Sequence, residues 1–158
     1  MNIFYLDNNP KICAKYHNDK HCVKMILEYA QLLSTAHREL DLFVNESLYK
    51  SAFKNHPSAK WVRENVNNYL WLYKLWTNLC DEYTHRYGKK HLTDIKLREL
   101  LKKTPHNIPN TEFTQPPMAM PDDVKHTDSI IAYRKYYKIY KKHLAKWTKR
   151  ERPIFYNE

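Results

Sequence analysis

The sequence of 158 residues is almost without glycine, and Gly88 is the only one. The common hairpin turns need residues at positive φ, which are usually glycine or asparagine. The lack of glycine also excludes the glycine-rich loops that cradle phosphate groups and the Gly-x-Ser-x-Gly elbow of serine hydrolases. A chain of this length can bury one substantial core. We therefore predict an all-α protein, a single compact helical domain over residues 1–158 with a short extended segment at residues 3–6.

Cysteine is also sparse, with Cys13, Cys22 and Cys80 and no C-x-x-C spacing. An odd number of cysteines without that spacing indicates neither a disulfide framework nor a cysteine-based zinc site. No apolar run reaches the length of a membrane span, and the first residues lack the basic and small-residue flanks of a signal peptide. These absences predict a soluble cytoplasmic protein, in the host cytoplasm if a phage encodes it.

Acidic residues are in the minority, with 17 of them against 27 lysines and arginines, and the formal charge is +10. Together with a mean hydropathy of -0.81, this charge describes a strongly basic soluble protein. A basic balance favours a polyanionic partner, and a merely solvated basic surface is the alternative. We expect the partner to be a nucleic acid, with no membrane association, and we expect a monomer.

Proline and turn residues divide the chain into predicted elements. A helical region covers about residues 11–40, broken near Asn18, with Asp19 as the N-cap of its longer part. A second region covers residues 57–88, with a proline in its first turn and Gly88 at its end. It forms either one helix or two with a bend near "NVNN".

The remaining elements are shorter. Residues 41–54 are predicted as a loop with one helical turn, and Thr93 or Asp94 as the cap of a short amphipathic helix. Residues 104–123 hold five of the eight prolines and predict an irregular surface connection. Residues 128–147 predict a basic, aromatic helix.

The stretch "HNDKHCVKMILEYAQLL" has polar residues along one side of a helix. His21 and Glu28 are seven residues apart and point within about 20° of the same direction. The residues on or beside this stripe are Lys24, Met25, Gln31, Leu32 and Thr35. The rest of the helix is apolar, so the polar column borders the interior, where a carboxylate needs a partner such as Lys24 or His21.

Two other interpretations of this helix stay open. Glu28 and Lys24 can form an ordinary surface pair, with His21 making a local hydrogen bond. His17 and His21 have the i, i+4 spacing of H-E-x-x-H zinc enzymes, but Asn18 stands where that motif has its glutamate. We expect neither a metal nor another cofactor.

Four stretches, taken in order, resemble the pyrimidine-dimer DNA glycosylase family, the endonuclease V-like enzymes of phages and bacteria. "DKHCVKMILEYAQLL" has an Asp, a Glu nine residues later and a Gln three residues further on. "NHPSAKW" is similar to an Asn-His-Pro-x-x-x-Trp stretch, "LCDEYTHRYGK" to the end of the long middle helix, and "MPDDVKHTDSIIAYRKYY" to a Pro/Asp loop before a basic helix. The residues on these positions are Asp19, Glu28, Gln31, Asn55, His56, Pro57, Trp61, Cys80, Glu82, Tyr83, Arg86 and Arg134.

The resemblance implies a compact all-helical domain whose N-terminus threads toward the catalytic helix. It also implies removal of a damaged or modified pyrimidine by cleavage of the N-glycosidic bond, followed by strand scission as an AP lyase. The α-amine of the chain would attack C1′ and form a Schiff base, assisted by Glu28. Because Asn2 is larger than the residue that follows the initiator in the phage enzyme, we expect Met1 to be retained and to supply the amine. An α-amine ordinarily titrates near ~7.7 to 8.0, so part of it is unprotonated at neutral pH.

Alternatives remain for both the mechanism and the function. Lys24 could serve as the amine, or Glu28 could activate water in a glycosylase without lyase activity. His21 and Gln31 complete the predicted catalytic set. A non-catalytic nucleic-acid-binding or interaction module, or a hydrolase of nucleoside or nucleotide N-glycosides, would also use a basic helical domain.

DNA contacts are expected from basic and polar side chains in the matching stretches and in the tail, because phosphate contacts set affinity. The predicted DNA-binding residues are Asn55, His56, Trp61, Arg63, Arg86, Lys89, Lys90, Arg134, Lys135, Lys149, Arg150 and Arg152. An extruded nucleotide also needs aromatic or apolar side chains around it. For each aromatic taken singly, core packing is favoured, and Tyr136 and Tyr140 have core-like spacing.

Overall fold

Helices make up all the regular structure in residues 1–157, the part of the chain that this computed structural model describes. The α-helices are α1 (Pro10–Tyr16), α2 (Asp19–Leu40), α3 (Pro57–Glu64), α4 (Val66–Tyr87), α5 (Leu92–Lys102) and α6 (Ser129–Tyr140), and 3₁₀ turns occupy Asp122–Val124, Lys142–Leu144 and Ile154–Asn157. The prediction of a single all-α domain is confirmed. Within the described residues, no helix is long and apolar enough to cross a bilayer.

The start of α2 differs from the prediction by one residue. Asn18 is the N-cap, and its side chain accepts the amide hydrogen of His21 at 2.9 Å. The prediction of Asp19 is wrong, because its carboxylate instead accepts hydrogen bonds from Thr148 and Arg86. Asp19 therefore ties the start of α2 to α4 and to the C-terminal tail.

The predicted cap of α5 is also wrong. His91 is the N-cap, and its Nδ1 accepts the amide hydrogen of Thr93 at 3.1 Å. The Thr93 hydroxyl is engaged with Tyr49, and the Asp94 carboxylate accepts from Arg98. Both predicted caps are thus used in contacts that the local sequence does not show.

The region 57–88 is two helices with a sharp break between them. Asn65 adopts an extended backbone with φ -157° and caps α4 by accepting the amide hydrogen of Asn68. Gly88 ends α4 with φ 70° in the left-handed region, as predicted from its position. The two-helix alternative is the correct one.

The helices α2 and α4 pack together at the centre, with α1 against α4 and with α3 and α5 along α2. The indole N–H of Trp76 donates to the carbonyl of Ile26 at 2.9 Å and so links the two central helices. Residues 3–6 are buried in this core without regular secondary structure, and the Leu6 amide donates to the Phe4 carbonyl at 3.0 Å. The first residues of the chain therefore lie inside the domain and beside α2.

Two connections cover the outside of α2, α3 and α4. Residues 41–56 return along α2, where the amide of Tyr49 donates to the Ser34 hydroxyl. Residues 103–128 are irregular, as predicted, apart from one 3₁₀ turn. The basic helix α6 ends at Tyr140, earlier than predicted, because the chain continues in a separate 3₁₀ turn.

Candidate active site

The middle of α2 carries a carboxylate that is shielded but poorly satisfied. The Glu28 side chain is 18% exposed, and its Oε2 is buried with no hydrogen-bond partner among residues 1–157. The Lys24 ammonium lies 3.7 Å from Oε2, and its own side chain is 62% exposed. A buried acceptor without a hydrogen bond costs free energy and is uncommon in folded proteins. Glu28 therefore has an acceptor oxygen that no described group of the protein hydrogen-bonds.

Both backbone groups of Phe4 attach the N-terminal segment to side chains of α1 and α2. Its amide hydrogen is donated to the hydroxyl of Tyr29 at 3.1 Å, and its carbonyl accepts from the Cys13 thiol at 3.1 Å. Tyr29 follows Glu28 directly on α2. Three residues separate Phe4 from the start of Met1, a reach of roughly 10 Å when extended. Phe4 is thus the anchor that sets where the amine of Met1 can lie.

A buried histidine stabilises this attachment of Phe4. His17 donates from Nδ1 to the Cys13 carbonyl at 2.8 Å, so its Nε2 can accept the Tyr29 hydroxyl hydrogen at 2.7 Å. Burial lowers the pKa of His17 to about 4, which keeps the ring neutral at pH 7. Because both ring nitrogens are engaged, His17 cannot serve as the metal ligand of the zinc alternative. Within the described chain, no group of three or more His, Cys, Asp or Glu side chains is arranged to hold a metal ion.

His21, predicted to be catalytic, supports the N-terminal segment. Its ring stacks on Phe4 with a centroid separation of 4.1 Å and an interplanar angle of 17°. Its Nδ1 is 2.7 Å from the Tyr137 hydroxyl. Burial, followed by nearby positive charges, lowers the pKa of His21 to about 3. A neutral, packed imidazole suits positioning better than proton transfer at neutral pH.

Basic side chains surround this end of α2. Lys20, Lys24 and Lys141 all contribute to lowering the pKa of His21, so their charges lie close to it. We call these three residues the basic cluster. Lys20 was missed from the sequence, although it precedes Lys24 by one helical turn on the same side. Lys141 comes from the end of α6, and its approach to α2 has no local signal.

The start of α3 brings a histidine toward the chain terminus. His56 is the N-cap of α3, and its Nδ1 accepts the amide hydrogen of Ser58 at 3.0 Å. Partial burial and then the charge of the N-terminal amine lower the pKa of His56. The amine of Met1 therefore lies within electrostatic range of His56. Gln31 is half-buried on α2, one turn beyond Glu28, and Asn55 is exposed beside His56.

A second shielded and unsatisfied group lies further along α3. The Nη1 of Arg63 is buried, without a hydrogen-bond partner in the described part of the chain. Arg63 borders a groove of about 700 Å³ between α3 and the connection 107–117. It follows His56 by seven residues, which places both on one side of α3. Trp61 also borders this groove, but its indole donates to the Thr114 carbonyl and the ring is 5% exposed.

Arg86 does not occupy the surface position that was predicted for it. Its side chain is fully buried and donates to Glu82 at 2.8 Å, to Asp19 at 3.0 Å and to the Lys15 carbonyl at 3.1 Å. Arg150 binds the same Glu82 carboxylate at 2.8 and 2.9 Å. These positions argue against phosphate contacts by Arg86 and leave Arg150 engaged with the protein.

The remaining predicted DNA-binding residues divide into two groups. Arg134 donates to the Leu6 carbonyl at 2.7 Å and to Asp7 at 3.1 Å, so it holds the far end of the N-terminal segment. Lys135 donates to the Asp123 carbonyl. Side chains that are exposed to solvent are Lys89, Lys90, Lys149 and Arg152. Lys135 is exposed as well, so a phosphate has direct access to it and to the second group, whereas Arg134 is engaged with the protein.

The N-terminal segment, Glu28 and His56 fall within one region of similarity to known proteins. A sequence model of the pyrimidine dimer DNA glycosylase family matches residues 1–95, which is more than half of the chain. The chain belongs to this family. Membership in a pyrimidine dimer DNA glycosylase family makes it a DNA glycosylase with DNA as its substrate, and the resemblance seen in the sequence is confirmed. No curated protein and no solved structure matches the chain significantly.

The match to the glycosylase family ends at residue 95, within α5. It covers the anchored N-terminal segment and all of α2, α3 and α4. The helix α6, which supplies Tyr137 and Arg134 to the support of the N-terminal segment, lies beyond it. The site is therefore assembled by matched elements and held from one side by an unmatched one.

Proposed function

We propose that this DNA glycosylase removes a damaged or modified pyrimidine from duplex DNA, with Glu28 as its catalytic carboxylate. The observation that supports this role is the shielded, unsatisfied Oε2 of Glu28, adjacent along α2 to the residue that anchors the N-terminal segment. A carboxylate oxygen that is shielded from water can interact strongly with positive charge that develops in the transition state. Glu28 would act in that way on the sugar of the target nucleotide.

The proposed nucleophile is the α-amine of Met1. Its unprotonated nitrogen attacks C1′ of the damaged nucleotide while the N-glycosidic bond breaks, and the departing base takes the electron pair and a proton. Loss of a proton from nitrogen and opening of the sugar then give a Schiff base. Removal of a C2′ proton allows the C3′ phosphate to leave, which breaks the strand. Glu28 can assist the proton transfers of both stages.

Lys24 is the competing amine. Its ammonium lies 3.7 Å from Oε2 of Glu28, with which it forms an ion pair. Its exposed side chain and its position in the basic cluster suit a phosphate contact. We therefore assign the chemistry to the amine of the chain terminus and phosphate binding to Lys24, Lys20 and Lys141, with Arg63 as a further anion-binding group.

The deciding experiment is borohydride trapping with lesion-bearing duplex DNA, followed by intact-mass and peptide mass spectrometry. We expect one covalent adduct on the first residue, and the measured mass also reports whether Met1 is retained. An adduct on Lys24 would reassign the nucleophile. Base release without any adduct would leave a glycosylase in which Glu28 activates water.

A matched pair of variants tests the role of Glu28. Glu28→Gln should bind lesion DNA as the unmodified protein does but should release base roughly 10²- to 10³-fold more slowly, whereas Glu99→Gln, at an exposed position of α5, should remain active. Absence of base release by the unmodified protein over a panel of pyrimidine lesions would contradict the proposal. DNA binding that does not weaken with salt would also contradict it, because phosphate contacts release counterions.

A further inference from the structure

Phe53 is an exposed aromatic residue in a conformation that bulky side chains avoid. Its φ is 50°, and in residues 1–157 the only other non-glycine residue at positive φ is Lys149. Its side chain is 72% exposed, so core packing does not explain the conformation. A bulky residue in the left-handed region is strained, and such strain persists where the surroundings impose it and is concentrated at functional sites.

The turn that carries Phe53 is held on both sides. The amide hydrogen of His56 is donated to the Phe53 carbonyl at 2.9 Å, and that of Ala52 to the Thr35 hydroxyl at 3.0 Å. The Ser51 hydroxyl donates to Glu39 at 2.8 Å. The backbone is thus fixed while the ring extends into solvent. A ring presented in this way is preorganised for a partner.

This turn borders the candidate active site. Thr35 follows Glu28 by seven residues on the same side of α2, about 10 Å further along the helix. His56, at the other end of the turn, is the residue whose pKa is lowered by partial burial and then by the charge of the N-terminal amine. Lys50 and Lys54 flank Phe53 and are exposed. An exposed aromatic ring in a turn that also carries Lys50 and Lys54, of which Lys54 pairs with Glu39 at 3.9 Å, suits a DNA duplex, where bases stack between phosphates.

We propose that Phe53 inserts into the base stack of the duplex and fills the gap left when the target nucleotide enters the site. This inference rests on the proposed function, because only an enzyme that extrudes a nucleotide creates such a gap. Stacking on an aromatic ring is tolerant of sequence, since every base has a π-face. The ring would lower the cost of extrusion without reading the lesion.

A set of substitutions separates the effect of the aromatic ring from the effect of the strained backbone. Phe53→Gly removes both the ring and the strain, because glycine adopts positive φ readily. Phe53→Ala removes the ring alone, and Phe53→Trp restores a stacking surface. Phe43→Ala is the matched control, because Phe43 is 94% exposed but lies beyond the end of α2. Thermal unfolding should show Phe53→Gly to be at least as stable as the unmodified protein.

Activity is measured on a duplex and on a single strand with the same lesion. On the duplex, kcat/KM should fall roughly ten- to a hundred-fold for the glycine and alanine variants of Phe53, which is the range expected from loss of one stacking partner. The tryptophan variant and Phe43→Ala should stay within a few-fold of the unmodified protein. On the single strand, all variants should be equal, because no gap in a stack needs filling.

Extrusion itself is read from the fluorescence of 2-aminopurine placed beside the lesion, in the inactive Glu28→Gln protein. Phe53→Gly in that background should weaken the change seen on binding. Full duplex activity of Phe53→Gly, or an equal loss on both DNA forms, would overturn the inference and leave the glycosylase proposal intact. Lack of base release by the unmodified protein on either form would overturn both.

Discussion

Glu28 and Glu82 occupy comparable positions and have opposite surroundings. Each is a shielded carboxylate on a central helix, and each is paired with a basic residue four positions away. Glu82 accepts from Arg86 and Arg150 at 2.8 to 2.9 Å, whereas the ion pair of Glu28 with Lys24 is 3.7 Å long. The two ion pairs, Lys24–Glu28 and Glu82–Arg86, have the same i, i+4 spacing in the sequence. Both oxygens of Glu82 accept hydrogen bonds within the protein, whereas Oε2 of Glu28 does not, and this difference motivates the catalytic role that we propose for Glu28.

Glu82→Ala should cause the largest change, and it affects stability. Removing one partner from a buried ion network leaves the other charges uncompensated, which costs about 3 to 5 kcal/mol in free energy of unfolding. Chemical denaturation measures this change. Glu99→Ala, on the exposed side of α5, should change stability by no more than about 0.5 kcal/mol. A small effect of Glu82→Ala would remove the contrast between the two glutamates.

Glu28→Gln should show the reverse pattern. Base release should fall by roughly 10²- to 10³-fold, the usual effect of removing one group that stabilises transition-state charge. Stability should change by less than about 1 kcal/mol, because no hydrogen bond within the described residues depends on Oε2. Single-turnover kinetics and thermal unfolding on the same preparation test both parts. A destabilised but active protein would assign Glu28 to structure.

Acid should weaken the support of the N-terminal segment. The folded-state pKa of His17 is lowered to about 4 from an ordinary value near 6.5. The unfolded chain therefore binds more protons between these values, and stability is lost as pH falls from about 6.5 to about 4. Each pKa unit corresponds to about 1.4 kcal/mol, so His17 alone accounts for about 3 kcal/mol.

Urea denaturation between pH 7.5 and pH 4 measures this dependence. His17→Asn should be less stable at neutral pH and should show a flatter profile, while the exposed His143→Asn should follow the unmodified protein. An unchanged slope in His17→Asn would mean that other groups carry the acid sensitivity. His21, whose pKa is lowered to about 3, is the first of these to examine.

The smallest expected effects concern the basic cluster. Lys20→Ala or Lys141→Ala should each weaken DNA binding a few-fold at moderate salt, and each should reduce the slope of log K against log salt by about 1. Lys96→Ala, exposed on α5, is the control. Fluorescence anisotropy over a salt series gives both quantities. Identical slopes for the Lys20 and Lys96 variants would place the DNA elsewhere.

Local patterns predicted much of the fold but not the use of each polar group. Helical periodicity and the position of Gly88 gave the helices and one terminus correctly, because these depend on neighbours in sequence. The caps of α2 and α5 were assigned to the wrong residues, since Asp19 and Asp94 are engaged by arginines from elsewhere in the chain. Arg86 was expected at the surface because the local sequence does not show the distant groups that bind it. Burial of a charged group is decided by partners that the local sequence does not contain.

The catalytic role of Glu28 stays a prediction. It was inferred from its spacing and from the family resemblance, and the structure adds that its Oε2 is buried without a hydrogen-bond partner among the described residues. The proximity of His56 to the amine, and of Lys141 to α2, arises from packing between distant segments. The strained backbone of Phe53 has no signature in composition or periodicity.

The two hydrogen bonds of the Phe4 backbone fix the point from which the first residues of the chain extend. Because Tyr29 and Cys13 fix the Phe4 backbone, the position of the amine depends on the number of residues that precede Phe4. One added or deleted residue would move the amine by about 3.3 to 3.6 Å without disturbing the anchor. A purification tag at this end would replace the amine that we propose as the nucleophile. Protein for any of these measurements therefore needs its native first residue and a tag, if any, at the other end.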